Sequence, residues 1–141
     1  MRTLSNYMRT LSKLALVGAL SASFVGLMPA NALALEANCY SAAPADPDGV
    51  SCVIYHENAA GSHVDRVYFE AYGEVLHLSD YWANGEGVVA YVNGVSYYLT
   101  TGADTTKDVN LSFTEGARVQ ITSCQTDKGT EYDCHTEYAT A

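Results

Sequence analysis

The segment Val88–Leu99 reads Val-Val-Ala-Tyr-Val, then Asn93-Gly94, then Val-Ser-Tyr-Tyr-Leu. Two β-branched and aromatic runs joined by Asn-Gly form a hairpin. Both residues of the turn tolerate positive φ, and the resulting type I′ turn twists in the sense that paired strands require. The turn then dictates register: Val92 faces Val95, Ala90 faces Tyr97 and Val88 faces Leu99 on one side of the pleat. Val89, Tyr91, Ser96, Tyr98 and Thr100 fall on the other. A two-stranded ribbon is marginal alone, so the chain must supply further strands.

It does so on both sides of the hairpin. Cys52–His56 is a short strand, and Val64–Tyr72 alternates, with Val67, Phe69 and Ala71 against Arg66, Tyr68, Glu70 and Tyr72. Gly73 interrupts before Val75–Leu78, where Leu76 and Leu78 share a side. Lys107–Phe113 places Val109, Leu111 and Phe113 inward, and Ala117–Thr126 and Tyr132–Thr140 complete the set. No apolar period near 3.6 is sustained anywhere after the leader. The expected fold is all-β, an antiparallel β-sandwich or small barrel of seven to eight short strands. In Arg118–Cys124 the alternation puts Cys124 with Arg118, Gln120 and Thr122 on the polar face, which requires either a bulge or a surface disulfide.

Residues 1–34 have the pattern of a cleaved signal peptide. Arg2, Arg9 and Lys13 precede an apolar run from Leu14 to Leu27, followed by Pro29 and overlapping Ala-x-Ala sites ending at Ala32 and Ala34. The apolar core is shorter than the ~20 residues that span a bilayer. The repeat of Met-Arg-Thr-Leu-Ser at 1–5 and 8–12 marks Met8 as an alternative start. Residues 35–50, with two prolines and two aspartates after Ser41, read as an extended arm, and residues 51–141 as a single β domain. Asp46-x-Asp48-Gly49 reads as a turn in preference to a calcium loop.

All four cysteines, Cys39, Cys52, Cys124 and Cys134, follow the leader, which in an exported chain implies two disulfides. Three connectivities are possible. The pairing Cys39–Cys52 with Cys124–Cys134 is preferred, because turn-forming residues separate each pair. No Cys-x-x-Cys suggests a metal, and no metal or cofactor is expected.

Charge narrows the partners. The chain carries −9, but every acidic residue lies beyond the leader, where four basic residues face sixteen acidic ones, giving −12. Such acidity argues against nucleic acid and anionic membranes, which need clustered Lys and Arg, and favours a soluble monomer. Gly-x-Ser-x-Gly, His-Glu-x-x-His and phosphate-binding loops are absent, and the four histidines have no ligand spacing. The expectation is therefore a non-enzyme. Aromatic surface is the remaining functional signal. Trp82 lies in the loop Asp80-Tyr81-Trp82-Ala83-Asn84-Gly85-Glu86-Gly87, where glycines give mobility and aromatics give contact. Tyr81, Trp82 and Asn84 are the candidate binding residues, with Tyr91 and Tyr98 as a second patch. Trp82 as a core plug is the competing assignment.

From Asn110 through Glu115-Gly116 to Cys124, then Cys134 and the tail ending at Ala141, the chain resembles small secreted actinobacterial (Streptomyces-like) proteins of unknown function. The resemblance spans roughly the last 55 residues and the style of the leader. It implies an extracellular β domain without an assigned activity. Size and cysteine count are also similar to the streptomycete α-amylase inhibitors, which present Trp-Arg-Tyr on a hairpin tip. Asp80-Tyr81-Trp82 has no arginine, so that chemistry does not transfer. The functional expectation is a secreted binding module for an extracellular protein or glycan. A hydrolase inhibitor and a small secreted hydrolase are the alternatives.

Overall fold

The structure, a computed structural model, describes residues 35–100 and 102–141; residues 1–34, the segment expected to be a signal peptide, lie outside the described residues. Nine strands follow one another: β1 Leu35–Ser41, β2 Val50–Glu57, β3 His63–Glu70, β4 Val75–Asp80, β5 Gly87–Val92, β6 Val95–Leu99, β7 Thr105–Asn110, β8 Arg118–Asp127 and β9 Thr130–Thr140. Eight of them form one antiparallel path, β6-β5-β8-β9-β2-β3-β4-β7, that curls into a nearly closed barrel. Strand β1 pairs with β2 off this path. No helix among the described residues is long and apolar enough to cross a membrane.

The central hairpin adopts the register that its turn dictates, with Val92 opposite Val95, Ala90 opposite Tyr97 and Val88 opposite Leu99. Asn93 and Gly94 take φ of 48° and 83°, the left-handed pair of a type I′ turn. Inward residues build the core: Ile54, Val67, Phe69, Leu76, Leu78, Val88, Val119 and Ile121 are fully buried. Phe113 meets Phe69 edge-on at 6.2 Å from beyond the end of β7. That strand starts two residues and ends three residues earlier than its alternation suggests, and Leu111 and Phe113 pack on the core from the segment that follows it.

The assignment of 35–50 as an extended arm is corrected. Leu35–Ser41 is a strand in continuous register with β2, from Leu35 opposite His56 to Ser41 opposite Val50. Leu35, Ala37 and Cys39 alternate with Glu36 and Asn38, a short pattern of mostly small residues, and Cys39 sits directly opposite Cys52 and is joined to it, which pins the edge. The remainder of the arm is a turn, closed by the Gly49 N–H on Asp46 Oδ1 at 2.9 Å.

Cys124 pairs with Cys134, so the preferred connectivity holds at both ends. The polar alternation at Cys124 is resolved in favour of the outer face. Strand β8 pairs with β5 without interruption, placing Cys124 opposite Val89, and the irregularity falls in β9. There Asp133 takes φ of 48° and supplies an extra residue, so that Cys134 reaches Cys124 across the bulge. The disulfide buries Cys124 and Val89 beneath it while Cys134 stays exposed. Two disulfides suit an oxidising environment.

Gly87 opens β5 where the aromatic loop re-enters the barrel. A Cβ at this position would lie 2.6 Å from the Leu99 carbonyl oxygen, a backbone atom that the β5–β6 ladder holds in place. Gly87→Ala should therefore destabilise the protein by about 1–3 kcal/mol, read as a lower urea midpoint with unchanged slope. An unchanged midpoint would show that the hairpin shifts freely.

Candidate functional site

Inside the barrel, the inward-facing residues change character at one level. In β2 the inward series runs Cys52, Ile54, then His56; in β3 it runs Phe69, Val67, then Asp65; in β4 it runs Leu76, Leu78, then Asp80. In β8 it runs Val119, Ile121, then Ser123 and Gln125. His56 lies opposite Asp65, and Asp65 opposite Asp80, so these three side chains are cross-strand neighbours. All five polar residues of this layer are at most 3% exposed. One end of the barrel is thus hydrocarbon and the other is a buried polar layer.

His56 and Asp65 anchor that layer. His56 Nδ1 lies 2.6 Å from Asp65 Oδ1, and Nε2 lies 2.8 Å from the carbonyl oxygen of Asp133. A carbonyl only accepts, so Nε2 carries a proton and donates it. Burial works against a charged imidazole, but the hydrogen bond to Asp65 and its charge outweigh it, and the His56 pKa is raised. Burial raises Asp65 as well, against the opposing pull of His56. The pair keeps a proton to higher pH than its parts would separately. Both ring nitrogens are engaged, so neither points at a ligand.

Above the layer lies a cleft of about 500 Å³, lined by Asn58, Val64, Trp82, Asn84, Glu86, Gln125, Tyr132 and Asp133. A narrower recess continues from it along Asp65, Asp80, Glu86 and Gln125. Trp82 is 47% exposed, so it is a surface aromatic and not a core plug. Its backbone N–H donates to Asp80 Oδ1 at 3.1 Å, which ties the loop to the polar layer. The Asn84 side chain donates to Glu86, whose own N–H returns to Asn84 Oδ1 at 3.0 Å. This local pair shapes the loop without any regular structure.

Asp80 Oδ2, Gln125 Oε1 and, within the polar layer, Ser123 Oγ are buried without a partner, and the Tyr132 hydroxyl is buried beside the Glu86 carboxylate. Burial, followed by the neighbouring Glu86 carboxylate, holds the Tyr132 phenol well above its ordinary pKa, so it remains a donor. Burial, joined by the charges of Asp65, Glu86 and Asp104, raises Asp80 despite the Trp82 hydrogen bond.

Of the sequence-based candidates, Trp82 and Asn84 line this cleft, and Tyr81 is the adjacent partly exposed residue, its N–H donating to the Val64 carbonyl at 2.9 Å. Tyr91 and Tyr98 lie elsewhere, on the outer face of the hairpin, where both hydroxyls donate to Glu131 Oε1 at 2.6 and 3.2 Å. The structure thus separates the candidates into two patches. Gln125, Tyr132 and Asp133 were not legible as site residues, because their role depends on the β9 bulge and on strands meeting in space. A second cleft of about 380 Å³ lies at Asp46, Glu74 and Glu115, and none of the unpartnered buried atoms lines it. All four cysteines are consumed by disulfides, so no thiolate is available as a ligand.

No family model, curated protein or solved structure matches the chain. The functional reading rests on the geometry of the cleft.

Protonation of the polar layer sets a pH dependence. His56 has a raised folded pKa, so its contribution is complete below about 6.5 and is lost as pH rises through the folded value. Asp65 and Asp80 are also raised, so the folded state retains protons above pH ~4 that the unfolded chain has released. All three act in one direction: stability should fall as pH rises from 5 to 8, measured by urea midpoints. Asp65→Asn should lower stability at pH 5 by about 3 kcal/mol and flatten the profile above pH ~6.5. A profile that rises toward pH 8 would contradict the shared-proton assignment.

Proposed function

We propose that the protein is an exported, non-catalytic binding module that takes a glycan in the cleft beneath Trp82. The observation that carries this reading is the composition of the cleft wall. A half-exposed indole stands over a floor where Gln125 Oε1 needs a donor and the Tyr132 hydroxyl, kept protonated beside the Glu86 carboxylate, is itself a donor. A sugar hydroxyl donates and accepts at once, and a sugar ring also offers an apolar C–H face to an aromatic wall. Asn58, Asn84 and Glu86 add planar amide and carboxylate groups at the rim. The open shape suits the end or side of an oligosaccharide, and pockets that take small molecules have comparable volumes.

Export is supported by the leader pattern and by the two disulfides. The non-catalytic reading is supported by the occupancy of both His56 nitrogens, which leaves no imidazole for acid–base work at the cleft.

Binding to a glycan array, followed by calorimetry with the best oligosaccharide, tests the proposal. Trp82→Ala should weaken binding by tenfold or more, about 1.4 kcal/mol, with the urea midpoint preserved. Tyr98→Ala, on the separate patch, should leave affinity within about twofold. The reverse ranking would move the binding surface to the hairpin face and sink the cleft assignment.

A further inference from the structure

The recess behind the cleft is more acidic than a neutral sugar requires. Asp65, Asp80 and Glu86 all line it, and neither it nor the cleft has a lysine or arginine among its described lining residues. Within this anionic wall the hydrogen bonds leave acceptors over. The Gln125 amide group donates to Asp65, which turns Gln125 Oε1 away from that partner, and no donor reaches the oxygen. Asp80 Oδ1 accepts from Trp82, and Asp80 Oδ2 has no donor either. Asp80 and Gln125 are 3% and 1% exposed, so bulk water does not satisfy these atoms. Buried acceptors without donors are destabilising, and they are worse placed when like charges crowd them.

A group with several N–H donors, no lone pair to accept, and a positive charge suits a wall with unmet acceptors and like charges. A primary ammonium is such a group: it has three donors and a compact charge. The recess is too narrow to admit a water molecule. The ammonium therefore sits at its mouth, where Gln125 and Glu86 border both spaces, with the Asp80 and Asp65 carboxyls behind. The aromatic wall of Trp82 stands over the same cleft and covers whatever ring carries the amine.

Building on the glycan reading, we propose that the natural ligand class is an amino sugar with a free, protonated amine, held by Gln125 Oε1 and the Glu86 carboxylate. Charge-assisted hydrogen bonds are roughly twice as strong as neutral ones, so the amine and not the hydroxyls sets specificity. The overall acidity of the domain draws such a polycation toward the cleft without defining where it docks.

The test compares calorimetric titrations of the disulfide-bonded protein with two probes, a β-1,4-linked glucosamine tetramer and the same tetramer N-acetylated. The expected result is at least tenfold tighter binding of the free-amine tetramer. Glu86→Gln should erase that preference by weakening the free-amine tetramer at least tenfold more than the acetylated one, and Glu115→Gln, at the other cleft, should preserve it. Equal binding of both tetramers overturns the amine assignment and leaves the glycan reading standing. Loss of both probes overturns the two together. Equal weakening by Glu86→Gln and Glu115→Gln would mean that diffuse charge, not the recess, holds the amine, and would also overturn it. Tighter binding of tetralysine than of the glucosamine tetramer would assign the amine to a protein ligand and exclude the sugar.

Discussion

Placing a histidine and two aspartates side by side inside a small barrel is unfavourable unless they satisfy one another, since each loses its hydration on burial. The His56–Asp65 contact is the interaction that makes the arrangement tolerable, and much of the architecture converges on it. Strands β2 and β3 bring the two side chains into direct opposition. The β9 bulge carries the Asp133 carbonyl to the second imidazole nitrogen. Strand β4 brings Asp80 alongside, and β8 contributes the Gln125 amide. Without the shared proton, this end of the barrel would hold like charges in a dry interior.

The same layer explains how a rigid scaffold supports an irregular loop. Residues 81–86 have no strand partners, yet Asp80 anchors Trp82, Val64 anchors Tyr81, and Asn84 and Glu86 fold the chain back on itself. The fixed points are buried residues of β3 and β4, so the aromatic wall inherits its position from the barrel. The apolar core and the polar layer with its cleft are thereby divided along the barrel axis.

Legibility in the sequence follows the range of each interaction. The Asn93-Gly94 hairpin and the alternation at Val67, Phe69 and Ala71 depend on neighbours a few residues away, and they read directly from the chain. Strand β1 is harder to read, because its alternation of Leu35, Ala37 and Cys39 with Glu36 and Asn38 is short, and a partner strand and a disulfide hold it. The alternation reads directly in Val64–Tyr72 and Arg118–Cys124, and less clearly in the short strands Cys52–His56 and Val75–Leu78. Its last steps, onto His56, Asp65, Asp80 and Gln125, become a layer only when four strands are aligned, which no single segment encodes. Trp82 and Asn84 stand out from the composition of their loop, and both line the cleft. Tyr132 reads as an ordinary strand tyrosine until the extra residue at Asp133 turns it toward the cleft.

The Cys124–Cys134 bond lies on the outside of the barrel, yet the residue next to it, Asp133, supplies the carbonyl that caps His56 within. The exposed sulfur bridge therefore acts as a clasp on the bulge, holding from outside the stretch of β9 that carries this carbonyl. A covalent bond at the surface in this way sets the position of a hydrogen-bond acceptor in the interior.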